Sequence, residues 1–120
     1  MRAEILTRIL TDLNDSSSDI EASAIISTDG LIMSSLLAPD MDEDRVGAMS
    51  AAMLSLGDRT AGELVRGTLE QVLIKGEAGY ILMTHAGIEA VITVLAKPNA
   101  RLGLIFLDVY RAAHHTKAML

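Results

Sequence analysis

Chemistry in this chain would have to come from three histidines, one run of acids and scattered glycines. His114 and His115 are adjacent. On a helix they point ~100° apart, so they do not form the i, i+4 pair that a metal ion needs on one face. Near a helix end they suit the negative C-terminal pole instead. His85 precedes Ala86-Gly87 in what reads as a hairpin turn, where a solvated imidazole is ordinary. Asp40, Asp42, Glu43 and Asp44 are the only grouped carboxylates. They stand just ahead of an apolar periodic segment, which is helix-start chemistry rather than a metal cage. Gly76, Gly79, Gly87 and Gly103 lack phosphate-loop spacing, and no GxSxG, GxxxxGKS/T or HExxH string occurs. No catalytic residue, cofactor site or metal site is expected, and the chain reads as a non-enzyme.

The composition narrows the remaining classes. A net charge of −6 with no basic run argues against binding a phosphate backbone. Only Tyr80, Phe106 and Tyr110 are aromatic, too few for a base-stacking platform, so no nucleic-acid partner is expected. The core must be aliphatic, with seven methionines as adaptable filler. Absence of cysteine removes disulfides and thiolate chemistry and suits a reducing compartment. With no signal peptide and no membrane-length apolar run, a cytoplasmic protein without direct membrane insertion is expected. At 120 residues, 1–120 should be one domain, burying about two-thirds of its unfolded surface.

The elements follow from periodicity. Arg2 to Asn14 reads as an amphipathic helix with Ile5, Leu6, Ile9, Leu10 and Leu13 on one side. Asp15 to Asp19 breaks it, since Ser and Asp side chains compete for backbone hydrogen bonds. Ile20 to Thr28 and Leu31 to Leu37 read as strands joined at Asp29-Gly30, a two-residue type I′ signal. A long helix then starts near Asp40, with Asp40 and Glu43 at capping-box spacing and Asp42 as a rival cap, and ends at Gly67. Three strands are expected at Thr68–Lys75, Tyr80–Thr84 and Ile88–Ala96, the last rich in Ile and Val on both sides and therefore buried on both faces. A final helix spans about Ala100 to Ala118, with Leu102, Ile105, Phe106, Val109, Ala113 and Thr116 inward. The class is α+β, in the order α-β-β-α-β-β-β-α.

The central helix, Asp42 to Arg66, stands out. Met49, Met53, Leu56, Val46 and Leu64 gather on one side, and Leu54, Ala61 and Val65 widen the apolar arc to roughly half the circumference, more than a surface helix needs. Small residues (Ala48, Ala51, Ala52, Ser55 and Gly62) interrupt Asp44, Arg59, Glu63 and Arg66 on the rest. Such a helix is expected to face a partner as well as its own sheet.

The order of elements, with the strings STDGLIMSS, MSAAMLSLGDRTAGELVRG, LEQVLIKGEAGYILM and AVITVLAKPNARLGLIFLDV, resembles the Roadblock/dynein light chain domains, especially the stand-alone prokaryotic ones, from about Leu6 to Ala113. The resemblance implies a five-stranded antiparallel sheet with the central helix on one face and the first and last helices on the other. It also implies a homodimer in which central helices pair and third strands meet edge to edge. Met49, Met53, Leu56 and Leu73 are then the expected dimer contacts. Family members regulate or scaffold small Ras-like GTPases, which puts Asp44, Ala48, Ala51, Ser55, Arg59 and Arg66 in candidate partner-binding positions. Stimulation of GTP hydrolysis and passive tethering are alternatives that the sequence does not separate, and an arginine finger at Arg59 or Arg66 is disfavoured because an arginine on a regular helix is ordinarily surface decoration. A small-ligand sensor is a further class, disfavoured by inward positions that are nearly all aliphatic.

Overall fold

The computed structural model describes residues 2–120. Three helices, α1 (Arg2–Ser16), α2 (Glu43–Glu63) and α3 (Leu102–Ala118), and five strands, β1 (Ile20–Ser27), β2 (Ile32–Leu36), β3 (Val72–Gly76), β4 (Gly79–Ala86) and β5 (Ala90–Ala96), follow one another in the expected order. All strand pairs are antiparallel, and the sheet runs β2-β1-β5-β4-β3.

Alternation along the strands builds two cores. Leu6, Leu10 and Leu13 of α1 and Ile105, Val109 and Ala112 of α3 pack with Ile25, Leu82, Ile92 and Val94 on one face. Leu54 of α2 packs with Ala24, Ile26, Met83 and Val91 on the other. Central β5 serves both, which is why its apolar residues do not alternate. Hydroxyls finish the seams: Ser23 donates to Asn14 Oδ1 at 2.6 Å, and Thr7 and Ser34 pair at 2.8 Å.

Three local expectations are corrected. The β1–β2 turn is a three-residue loop, with Ser27 N–H donating to the Leu31 carbonyl and only Gly30 at positive φ (93°), so Asp29 escapes the left-handed conformation a type I′ turn would impose. Asp42, rather than Asp40, caps α2, accepting from the Asp44 and Arg45 amides at 3.0 and 3.3 Å. β5 begins at Ala90, and Ile88, expected within a buried strand, sits in the β4–β5 turn and is 92% exposed.

The end of α2 also differs. It closes at Glu63 in a Schellman arrangement, Arg66 N–H to the Ala61 carbonyl and Val65 N–H to the Gly62 carbonyl. The left-handed residue that closes this motif is Val65 (φ 55°), and Gly67, also at positive φ (85°), lies two residues further on. A β-branched side chain rarely adopts that conformation.

Candidate interaction surface

The face α2 turns to the sheet is lined by small residues. Gly47, Ser50 and Leu54 are buried, with Val46, Met53, Gly57 and Ala61 half-buried beside them. A Cβ on Gly47 would collide with the Gly30 carbonyl oxygen, and one on Gly57 would stand 2.9 Å from Leu69 Cδ2. At the centre Thr93 donates to Ser50 Oγ at 2.7 Å inside the core. Small residues therefore bring the helix axis close to the strands, and this close seat fixes what points away.

Counting ~100° per residue from Ser50, Met53, Met49 and Leu56 fall on one flank, and Asp58, Ala51, Asp44, Ser55 and Ala48 on the other. The apolar side expected from the sequence thus lies beside the sheet contact and not on it: Met49 is 54% and Leu56 56% exposed, while Met53 packs partly against the α2-side core. Arg59 points away from the sheet, its guanidinium 3.7 Å from Glu63, with both side chains largely in solvent. Arg66 lies past the helix end and is exposed. Leu73 pairs with Leu82 and so lies on the α1/α3 face of edge strand β3, across the sheet from Met49, Met53 and Leu56.

The small-residue flank carries a pair that sequence reading missed. His85 belongs to β4 and shares the α2 face with Ile81 and Met83; its Nε2 is 3.0 Å from both carboxylate oxygens of Asp58. It is half-buried, not a solvated turn residue. Carrying the alternation of Ile81 and Met83 two residues further would have placed it there; ending the strand at Thr84 hid it. Its Nδ1 is buried without a hydrogen-bond partner.

On the opposite face an open groove of about 720 Å³ lies between α3, strand β4 and the Glu70–Gln71 segment ahead of β3, walled by Phe106, Leu107, Tyr110 and Lys117 over Leu82 and Thr84. The Thr84 hydroxyl is spent on the Glu70 carbonyl at 2.8 Å. His114 and His115 are exposed on α3, His114 stacked on Tyr110 at 6.5 Å between centroids. Among the described residues no three His, Cys, Asp or Glu side chains gather as a metal site, and no helix is long and apolar enough to cross a membrane.

Two carboxylates are held below the usual range. The Arg101 backbone amide donates to Asp19 Oδ2 at 3.0 Å and its Nε at 3.2 Å, tying β1 to the start of α3. The Ser27 hydroxyl and its own amide do the same for Asp29 in the turn.

Known proteins place this architecture. Two uncharacterized proteins of Methanocaldococcus jannaschii, MJ1340 and MJ0310, are each 41% identical over 115 residues, covering 96% of this chain and 99% of theirs. Myxococcus xanthus MglB superposes with a TM-score of 0.88 at 15% identity over 98% of this chain and 88% of its own. A Roadblock/LC7 domain from Streptomyces avermitilis gives 0.87 at 20% identity over 93% and 94%. At those identities the two structures speak for the fold alone. The pattern of the Roadblock/LC7 domain spans residues 6–96, and with the two helices on one face of an antiparallel sheet and α2 on the other, the chain belongs to the Roadblock/LC7 family.

Proposed function

We propose that this chain is a homodimeric, cytoplasmic regulator or adaptor that binds a small Ras-like GTPase and has no catalytic chemistry of its own. The observation that carries the reading is the unlikeness of the two α2 flanks. One exposes the large aliphatic side chains Met49 and Leu56, and beyond Leu56 the helix reaches β3, whose outer edge is free. An apolar helix flank beside an open strand edge is a surface that self-association covers. The other flank offers Ala48, Ala51 and Ser55, short enough for a partner backbone to approach, with Asp44 and Arg59 at its rim. Family membership supplies the partner class.

The test uses each Ras-like GTPase of the same genome, purified and loaded with a GTP analogue. Wild type should bind, and Ser55→Arg, at an exposed position, should weaken binding with the fold intact; Ala51→Arg should do the same from a half-buried one. Unchanged binding by both variants would move the partner site off α2. Multiple-turnover GTP hydrolysis then separates a stimulator from a passive tether.

A further inference from the structure

The small-residue flank of α2 is flanked in turn by the tips of two hairpins. Near the N-terminal half of the helix, the β1–β2 turn is pressed onto it: a Cβ on Gly30 would stand 3.4 Å from Ala48 Cα. Near the C-terminal half, Asp58 reaches His85, two residues before Gly87 of the β4–β5 turn. The turns are tied to each other, Thr28 N–H donating to the Glu89 carbonyl at 3.2 Å. The flank and both tips therefore form one surface.

Its apolar content is misplaced for a monomer. Tight turns ordinarily carry Gly, Asn, Asp or Ser. Here Leu31 is 67% and Ile88 92% exposed, and neither belongs to a core cluster. They form two apolar knobs on the turn tips at the end of the sheet that α2 overlies.

The charges nearest the knobs are mainly acidic, since Arg59 at the rim of the strip is paired with Glu63 and Lys117 reaches Gly87 from α3. Asp29 and Glu89 stand on the turns, Asp44 and Asp58 on the helix, all exposed. Among the described residues no Lys or Arg lies within ion-pair distance of these four; Asp58 meets only His85. Two copies of this surface set face to face would juxtapose carboxylates, which costs several kcal/mol. A second copy of the chain is therefore the wrong occupant, and so is any anionic surface.

We infer that Leu31 and Ile88 are the anchors of the partner-docking surface, and that the partner meets them with apolar sockets ringed by lysine and arginine. This rests on the GTPase reading above and adds to it the contact residues outside α2 and the charge of the partner face. Anchors of this kind carry most of an interface's energy, while the charges set the association rate.

The experiment is a titration of the same analogue-loaded GTPases against wild type, Leu31→Ser, Ile88→Ser, Glu89→Lys and Ser55→Arg, at low and high salt, with circular dichroism as the check on folding. Serine suits a turn, so both hairpins should stay formed. Each serine variant should bind about tenfold more weakly, chiefly through faster dissociation. Glu89→Lys should slow association and flatten its salt dependence. Wild-type binding by Ile88→Ser and Leu31→Ser, or an affinity indifferent to salt, overturns the inference. If Ser55→Arg alone then loses binding, α2 docking stands and only the turn-tip anchors fall. If no GTPase binds wild type, both readings fall.

Discussion

His85 Nε2 lies 3.0 Å from each carboxylate oxygen of Asp58, so a strand residue and a helix residue close the seam between β4 and α2 beside the proposed docking strip. A hydrogen must sit on Nε2 to serve this contact, which leaves Nδ1 buried with no partner. The imidazole is therefore committed to Asp58. Asp58→Ala should cost about 1 kcal/mol in urea unfolding, within the usual range for a hydrogen bond in partial solvent contact. A double-mutant cycle with His85→Ala should return a coupling of roughly 0.5 kcal/mol or more; strict additivity would show the pair to be ornamental.

The buried Thr93–Ser50 bond makes a second test. Ser50→Ala removes the acceptor for the Thr93 hydroxyl, which is buried from solvent, and the loss should fall in the ~1–3 kcal/mol span of an unsatisfied buried group. Ser50→Leu should cost more, because the close seat of α2 leaves no room for added volume. If Ser50→Leu proves the milder change, the packing account of α2 is wrong.

That seat is also where sequence reading ran out. The element order, the doubly buried β5 and the two cores were legible, because Ile, Val and Leu periodicity reports burial directly. The orientation of α2 was not. Its inward line includes Gly47, Ser50, Gly57 and Ala61, residues that a hydropathy count scores as indifferent, and their placement is set by distant groups: Gly30, Leu69 and Val72. Met49 and Leu56 were rightly seen as apolar, but only the packed structure puts them on the exposed flank. Turn ends failed for a local reason. Ile88 carries a strand-like side chain in a turn, and His85 a turn-like position in a strand, so each was assigned to its neighbour's environment.

Val65 supplies a prediction about strain. A non-glycine residue in the left-handed region costs roughly 1–2 kcal/mol, and this one is 84% exposed, so little packing offsets it. Val65→Gly should raise the thermal midpoint of the isolated protein. A fall would mean that the valine makes a stabilising contact, with a second copy being the first to test by repeating the melt at low protein concentration.

Asp19 predicts the acid limb of stability. Its folded pKa is lowered, first by the Arg101 amide and then by the guanidinium. A depressed carboxylate stabilises the fold above its unfolded value, about 3.9, and the contribution is lost as pH falls through the lower folded value. Asp19→Asn should therefore be less stable than wild type at neutral pH, with the gap closing below about pH 4. A gap that is constant with pH would assign the effect to shape rather than charge.

Self-association should run through the other flank of α2. Met49 and Leu56 lie outside the sheet contact, so replacing them leaves both cores alone, unlike a change at Leu54 or Met83. Leu73 joins them only through strand β3: on the opposite sheet face, it can reach a second copy if the β3 edges meet, but not if the helices alone pair. The positions thus separate two geometries. We expect a symmetric dimer burying roughly 1,200–2,000 Å² in total. Leu56→Asp should shift sedimentation equilibrium toward the 12.8 kDa monomer while keeping the native circular dichroism. Leu73→Asp should do the same if edge strands meet. Dissociation by Leu56→Asp but not by Leu73→Asp would leave helix pairing alone. A wild-type protein that is monomeric at tens of micromolar would remove the dimer and require another cover for Met49 and Leu56.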